Sequence, residues 1–358
     1  MKVEELEEKL LSCSTSEDVV VLDDTVKIDG VKELSPEQIR KEVSVFARIL
    51  VNGYCGWPFH SKPLKQRVLS KLDKLFDADT PMSVDDFFEK LGDSIVKVPD
   101  RHIKVKLGDR QIEREKDFIN VGDNVGKGAD YKIENSGDFA IIAVTKSRPS
   151  WDRFMEQAKT AIDNAKAVII DLRGNGGGSS LQTSLLAEYL YGADTPGCTS
   201  VYLRGTPEGA ILREGNGGFG TNDFDLSKDP FLYWTSKDTP YPEFSGIKNP
   251  VYILTDRKVG SAAEMFITQM SRHPYLKIVG TNTAGCEIYG QCSRAVLPNT
   301  GIALQVGNKY RELEAGNIEL KGYAPHIRVQ EGSDALSVAK ADFYKTRNLV
   351  KKAGCQKS

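Results

Sequence analysis

Apolar runs and helix-period patterns alternate along the second half of the chain. Residues 139–144, 167–170 and 251–254 are short, β-rich apolar runs of the kind that is buried in a sheet. Residues 151–165 are amphipathic at helical spacing, and residues 181–191 form a second helical stretch. Strands that alternate with helices are typical of α/β proteins. The pattern therefore predicts the α/β fold class for this half of the chain.

The first hundred residues have a different, mainly helical pattern. Leu and Val recur at helical spacing in residues 36–51, 62–76 and 82–97. Residues 35–38 supply a serine cap, a proline at the first helical position and a glutamine at the third, which is the capping-box spacing. The sequence therefore predicts an N-terminal helical domain over residues 1–105.

The rest of the chain, residues 106–358, is expected to be one α/β core that carries an insert. Residues 106–136 are charged and show no clear period. Residues 192–248 are polar and rich in Gly, Pro and aromatic residues, which favours an insert of irregular structure or a hairpin that covers the core. Residues 295–306 predict a hairpin.

Composition and charge exclude several classes of protein. The chain has 358 residues, 40% of them hydrophobic and 27% charged, as in an ordinary soluble globule, and its net charge of -2 gives no electrostatic case for nucleic acid or an anionic membrane. The N-terminal residues lack an apolar signal core and no apolar run is long enough to span a bilayer, so we expect a cytoplasmic protein. The six cysteines form no Cys-x-x-Cys pair, so neither a zinc ribbon nor a disulfide scaffold is indicated, and we expect free thiols.

Ser261 follows the apolar run 251–254 at a bend and precedes a helical repeat. Gly260 permits a sharp turn there. The backbone N–H groups at the start of a helix are unpaired donors, which suits a hydroxyl nucleophile whose reaction forms an oxyanion. Serine is also a favoured helix cap, and that interpretation stays open from this stretch alone.

A glycine-rich segment, residues 171–178, follows the apolar run 167–170 directly. So many glycines let a backbone approach a ligand and present several N–H groups to it. A dinucleotide-binding frame that starts at Gly174 would end on Ser179 instead of glycine, and no Gly-Lys-Ser/Thr follows for a P-loop. A plain flexible turn remains the alternative to a ligand-facing loop.

Two histidines and one glutamate are candidates for proton transfer. His102 lies where the helical pattern changes to strand, at a predicted domain boundary, and His is the usual general base near neutral pH. His60 lies in an aromatic-rich loop, where packing is the expected role. Glu319, taken by itself, would more often be a solvated surface charge than a catalytic group.

Four motifs in a fixed order resemble the tail-specific, or C-terminal-processing, serine peptidase family. A strand ends in Asp171-Leu-Arg-Gly-Asn-Gly-Gly-Gly, and a later strand-to-helix turn reads Gly260-Ser-Ala-Ala-Glu. Val279-Gly-Thr-Asn-Thr-Ala-Gly and then Gly322-Tyr-Ala-Pro follow. The resemblance spans residues 138–340 and implies a crotonase-like (ClpP/crotonase) ββα core with an N-terminal helical unit.

The family has two catalytic branches, and the motifs of this chain match one of them. The Ser-Lys branch takes its base from a Thr-x-Gly-Lys turn, but Cys286 stands in the lysine position. The branch similar to the tricorn core protease uses a histidine from the N-terminal region and a glutamate in a Glu-x-x-Gly-x-x-Pro segment. His102 and residues 319–325 fit that pattern, although Arg101 stands where tricorn-like proteins have serine. The chain after His102 is too short for a PDZ module.

The resemblance implies a serine peptidase that hydrolyses peptide bonds of peptide or protein substrates through an acyl-enzyme. Ser261 would be the nucleophile, His102 its base, and Glu319 the group that orients the polar network. No cofactor or metal is implied, and an oligomer is compatible with the sequence.

The same resemblance implies an oxyanion hole built from backbone N–H groups. The donors would be Ala262 together with Gly176 or Gly177.

Two other functions share this architecture. A non-hydrolytic binding protein, like the retinoid-binding relatives of the family, would hold a peptide or apolar ligand, but Ser261, His102 and Glu319 are all present. An acyl-CoA enzyme of crotonase type would need a basic patch for the adenine phosphate, and the sequence offers none.

Overall fold

The computed structural model describes residues 1–22, 31–114, 130–147, 152–214, 231–235, 241–330 and 333–355, of which 231–235 and 350–355 are described as backbone. Within these residues the helices are α1 (Val3–Leu11), α2 (Pro36–Arg48), α3 (Lys62–Phe76), α4 (Val84–Ile95), α5 (Phe154–Asp163), α6 (Leu181–Tyr191), α7 (Pro207–Glu214), α8 (Ala262–Met270) and α9 (Ala335–Cys355). The strands are β1 (Val20–Val21), β2 (Glu33–Leu34), β3 (Met82–Ser83), β4 (Lys104–Leu107), β5 (Arg110–Glu113), β6 (Tyr131–Ser136), β7 (Phe139–Val144), β8 (Ala167–Asp171), β9 (Ser200–Arg204), β10 (Phe231–Thr235), β11 (Val251–Thr255), β12 (Leu276–Gly280), β13 (Tyr289–Val296), β14 (Ala303–Glu312) and β15 (Ile327–Arg328).

The chain divides into two compact units, each built from several segments of sequence. The first unit comprises Met1–Lys116, Ser200–Thr235 and Ile288–Glu312. The second unit comprises the three segments between and after these: Asp117–Thr199, Ser236–Glu287 and Leu313–Ser358. Both helices and sheets are present, which confirms the α/β class. The domain boundary expected at residue 105 stays a prediction.

A mostly parallel sheet organises the second unit. In the described residues its strand order is β15-β12-β11-β8-β7-β6, and only β6 runs antiparallel to its neighbour, β7. The two central strands are in register with Val251 opposite Val168 and Ile253 opposite Ile170. Strands buried on both faces read as continuous apolar runs. This explains why β8 and β11 were recognisable from sequence.

Alternate side chains of the central strands fill two separate cores. Val168 and Ile170 pack on one face of the sheet with residues of α5, α6 and α8, such as Phe266. Ile169 packs on the other face with residues of α9, such as Phe343. Because successive strand side chains point to opposite faces, helices cover both sides of the sheet. The carboxyl ends of the strands therefore carry the loops in which ligand sites of such sheets usually lie.

The first unit joins helices to a largely antiparallel sheet. Among the described residues, this sheet has the order β1-β13-β14-β4-β5, with β9 also paired to β14 and β10 paired to β9. The capping box before α2 is confirmed, because Gln38 N–H donates to Ser35 Oγ and Ser35 N–H donates to Gln38 Oε1. The hairpin between β13 and β14 is held by buried Glu42, which accepts from Asn299 N–H and the Thr300 hydroxyl.

Several expectations about secondary structure need correction. Residues 106–136 were expected to lack a period, yet β5 and β6 lie there; both are short and mostly polar, and the few apolar positions of β6, Tyr131 and Ile133, did not mark a strand. The insert 192–248 contains the antiparallel pair β9 and β10. It also contains helix α7, which the sequence did not predict. Its residues 215–230 and 236–240 lie outside the described residues. Helix α5 is shorter than the predicted 151–165.

Candidate active site

Ser261 lies at the end of the turn between β11 and α8, in a backbone conformation that is rare for a side-chain-bearing residue. Its φ is 53° and its ψ is -121°. An ordinary helix cap has extended φ and ψ, so capping does not require this conformation. Non-glycine residues held there cost about 1–3 kcal/mol each and occur mostly at functional sites. The turn therefore fixes a half-buried hydroxyl at the start of a helix.

Buried Glu264 holds this turn through hydrogen bonds to its carboxylate. Its carboxylate is fully buried and accepts hydrogen bonds from Ser261 N–H at 3.2 Å, Gly285 N–H at 2.7 Å and Cys286 N–H at 2.8 Å. The Thr283 hydroxyl donates to it as well. Hydrogen bonds to a carboxylate are about twice as strong as neutral ones. Glu264 follows Ser261 at the capping-box spacing, but it was not among the residues predicted from sequence to form the site.

Gly177 lies directly against the Ser261 turn. A methyl group on its Cα would lie 2.7 Å from Ser261 Cβ and 2.8 Å from Gly260 O, and its φ is 103°. Only glycine therefore fits there. This close contact argues against a plain flexible turn, which was the alternative to a ligand-facing loop.

Asn175 connects the glycine-rich segment to the Ser261 turn through hydrogen bonds. This residue was not predicted from sequence to have a role in the site. Its side chain is fully buried and donates to Val144 O at 3.0 Å, while its Oδ1 accepts from Gly177 N–H at 2.9 Å. Its backbone carbonyl accepts from Gly260 N–H at 3.0 Å. Asparagine beside glycine is a common turn pair, so the sequence alone did not distinguish this role from an ordinary turn.

Glu319 is buried, with 5% of its surface exposed, and its segment packs on the turn formed by residues 281–286. Leu320 N–H donates to Gly285 O at 2.8 Å, and a methyl group on Gly322 would lie 2.2 Å from Thr283 O. This burial excludes the solvated-charge interpretation of Glu319. Because Glu264 binds the same turn, a continuous set of contacts connects the Glu319 segment with the Ser261 turn.

Cys286 occupies the position where the Ser-Lys branch has its lysine. Its side chain is buried, and a methyl group on Gly260 would lie 2.6 Å from its Sγ. The thiol therefore packs against the residue that precedes Ser261. This contact gives Cys286 a packing role without requiring chemistry.

His102 belongs to the first unit, in the segment between α4 and β4. Its side chain is 15% exposed, and its carbonyl accepts from Gln305 Nε2 at 2.8 Å. Asp100 is fully buried, and its Oδ1 accepts a hydrogen bond from His102 N–H at 2.7 Å. Asp100 was not among the residues predicted from sequence.

His60, also in the first unit, is packed as expected from its aromatic neighbours. It is 7% exposed, its Nε2 lies 3.2 Å from the Tyr54 hydroxyl, and its ring lies 6.0 Å from that of Tyr289. Burial lowers the pKa of His60 to about 4. It is therefore neutral near pH 7.

The sequence-derived site residues thus fall in both units. Ser261, Ala262, Gly176, Gly177 and Glu319 belong to the second unit and His102 to the first. Among the described residues, no group of three or more His, Cys, Asp or Glu side chains could hold a metal ion. Across the same part of the chain, no helix combines the length and apolarity needed to cross a membrane.

A serine on a strained strand-to-helix turn, packed against a glycine-rich loop, is compatible with a serine hydrolase. The model of the peptidase family S41 matches residues 138–329, more than half of the chain. The protein therefore belongs to peptidase family S41 and is a serine-type peptidase.

One of three similar solved structures shares the fold of this chain. A candidate peptidase from Parabacteroides merdae aligns over 85% of this chain and 93% of its own, with a TM-score of 0.58 and 19% identity. A lipoprotein from Streptococcus agalactiae aligns over 88% of this chain and 98% of its own, with a TM-score of 0.48 and 15% identity. The photosystem II D1 C-terminal processing protease covers 62% of this chain and 51% of its own, with a TM-score of 0.35 and 15% identity. At these identities the first match shows a shared fold alone.

Proposed function

We propose that Ser261 is the nucleophile with which this peptidase hydrolyses peptide bonds of peptide or protein substrates through an acyl-enzyme. The observation that carries this assignment is the backbone of Ser261, held at positive φ with Gly177 against its Cβ. Such a conformation is costly and clusters at functional sites, and an ordinary helix cap does not require it. It presents Oγ beside the N–H groups that begin α8.

In the proposed reaction, His102 takes the proton from Ser261 Oγ as that oxygen bonds to the substrate carbonyl carbon. The imidazolium then gives the proton to the leaving amine as the C–N bond breaks. Water hydrolyses the acyl-enzyme by the same sequence, again with His102 as base. The assignment of His102 rests on the resemblance to the tricorn-like branch and on the absence of lysine at position 286.

Backbone donors of the second unit would bind the oxyanion. We assign this role to Ala262 N–H and to the glycine-rich loop. Gly177 N–H is already donated to Asn175 Oδ1, which favours Gly176 as the donor from the loop and gives Gly177 a spacing role. Glu319 would orient the polar network through the turn of residues 281–286, which its own segment contacts.

The finer classification is also a proposal. The helices on both faces of the parallel sheet are compatible with a crotonase-like core, and the four ordered motifs favour the tail-specific group within the family. We likewise propose an N-terminal helical domain over residues 1–105, a catalytic core over residues 106–358 and a cytoplasmic location.

The direct test replaces Ser261 by Ala and measures hydrolysis of a mixed peptide library by mass spectrometry. The variant should lose all peptide cleavage and still unfold cooperatively, because a lost cap costs only about 0.5–2 kcal/mol. Ser271→Ala, just past the other end of α8, is the matched control and should keep full activity. A Ser261→Ala protein that cleaves peptides at the normal rate would refute the assignment.

A further inference from the structure

Asp100 is an unusual carboxylate within the first unit. It is fully buried, and its Oδ2 has no hydrogen-bond partner among the residues that the structure describes. A buried charge without compensation costs several kcal/mol, so such residues are rarely kept for stability alone. Its Oδ1 accepts from His102 N–H two residues along the chain, which locks the local backbone.

The ring of His102 lies within reach of this carboxylate. The distance from His102 Nδ1 to Asp100 Oδ1 is 3.7 Å, somewhat longer than a hydrogen bond of about 2.7–3.2 Å. The backbone of His102 is fixed on both sides, by Asp100 at its N–H and by Gln305 at its carbonyl. Closing the distance would therefore fall to the side chain of His102 and not to its backbone. Catalytic hydrogen bonds are often long without substrate and tighten when it binds.

The second histidine whose pKa Asp100 affects, His60, does not account for the burial of Asp100. The Asp100 carboxylate raises the pKa of His60, but desolvation is the larger effect and holds that pKa at about 4. His60 is therefore neutral near pH 7, and its Nε2 pairs with the Tyr54 hydroxyl. Asp100 makes no cationic partner of His60, which leaves His102 as the imidazole that its charge can serve.

We propose that Asp100 is the positioning carboxylate of His102. It accepts a hydrogen bond from Nδ1–H, and this tautomer leaves Nε2 as the acceptor for the proton of Ser261. Its negative charge then stabilises the imidazolium that forms. Asp100 does not itself take up the proton. The inference rests on the proposed function, in which His102 is the base, and it supplies the orienting group where tricorn-like proteins have a serine and this chain has Arg101.

Asp100→Asn tests the charge with the least change of shape. Asparagine keeps the Oδ1 acceptor for His102 N–H, so the backbone should hold. We expect kcat to fall on the order of 10³- to 10⁴-fold with KM within about twofold, since the wrong tautomer is favoured. A residue kept only for structure would show the opposite pattern, with lower stability and unchanged kcat. Asp93→Asn, on the exposed end of α4, is the matched control.

A second measurement needs no substitution at Asp100. The ¹⁵N chemical shifts of His102 in the Ser261→Ala protein at pH 8 should report the Nδ1–H tautomer. The Nε2–H tautomer would overturn the proposal even if Asp100→Asn failed to fold. Full kcat in Asp100→Asn while His102→Ala is inactive would also overturn it. An active His102→Ala protein would instead refute His102 as the base in the proposed function, and the tautomer would still decide whether Asp100 holds the ring.

Discussion

The turn that holds Ser261 and the segment that holds His102 achieve their geometry in different ways. The Ser261 turn is held mainly by close packing, because Gly177 lies directly against it, and one buried carboxylate, that of Glu264, accepts its N–H. The His102 segment is fixed by side chains, with Asp100 at its N–H and Gln305 at its carbonyl.

This difference predicts which kind of substitution will affect each region. In the Ser261 turn, a single added methyl group meets backbone atoms that cannot move independently. In the His102 segment, charge and tautomer matter more than space. Volume changes should therefore harm the first region most, and charge changes the second.

The largest effect is expected from the choice of histidine. His102→Ala should lower kcat/KM on the order of 10⁴-fold, because it removes the base. His60→Ala is the comparison within the same unit; it should cost about 2–5 kcal/mol of stability through lost packing and leave turnover near normal below its melting temperature. Steady-state kinetics on one peptide, with thermal unfolding, separates the two. If His60→Ala is inactive and His102→Ala is normal, the wrong histidine has been chosen.

Gly177→Ala tests the backbone contact and should rank second. The new methyl group would meet Ser261 Cβ and Gly260 O below 3 Å, so Ser261 must shift. A misplacement of about 1 Å can cost on the order of 10²-fold in rate. Gly174→Ala is the matched control, since it has φ of 80° and open space around it. That variant should lose about 1–2 kcal/mol of stability from the left-handed backbone and keep its kcat; equal losses of kcat in both variants would contradict a specific contact.

Glu264→Gln should have a smaller effect on rate and a clear effect on stability. The amide cannot accept all the donors that the carboxylate accepts, and each buried group left unpaired costs about 1–3 kcal/mol. We expect kcat to fall roughly tenfold, because the Ser261 turn relaxes by a fraction of 1 Å. Glu42→Gln makes the same change at a buried carboxylate of the first unit and should lower stability alone. Equal kcat in the two variants would show that Glu264 is structural only.

The smallest expected effect concerns stability against pH. Burial lowers the pKa of His60 to about 4 from an ordinary value of 6.5. Between these values the unfolded chain binds a proton that the folded chain does not, so stability falls as pH falls from 6.5 towards 4. His60→Phe should remove on the order of 1–2 kcal/mol of the loss between pH 7 and pH 5. Denaturant unfolding at both pH values measures this, and an unchanged pH dependence would argue against a neutral, packed His60.

Elements with a regular apolar pattern were predictable from sequence. The bounds of β7 and α6 agree with the predicted 139–144 and 181–191, because β7 is an unbroken apolar run and α6 repeats apolar residues at helical spacing. Strand β6 was missed because much of it is exposed, and α7 because it lies in a polar insert.

The candidate site divides in the same way. Ser261 and Gly177 could be proposed from the sequence because a strand, a turn and glycines leave a recognisable motif. Asn175, Glu264 and Asp100 were not predicted as site residues. All three are buried, and Asn175 and Glu264 bond to residues distant in sequence. A single polar residue in a sequence reveals neither its burial nor its distant partners.

The claim that Ser261 Oγ is the nucleophile can be tested by covalent labelling. A fluorophosphonate probe reacts with an activated serine, and the labelled peptide can be identified by mass spectrometry after digestion. We predict one label per chain, on Ser261, with loss of peptide hydrolysis in proportion to labelling and no label in Ser261→Ala. Inactivation with the label on another residue, or full hydrolysis by protein labelled at Ser261, would contradict the claim.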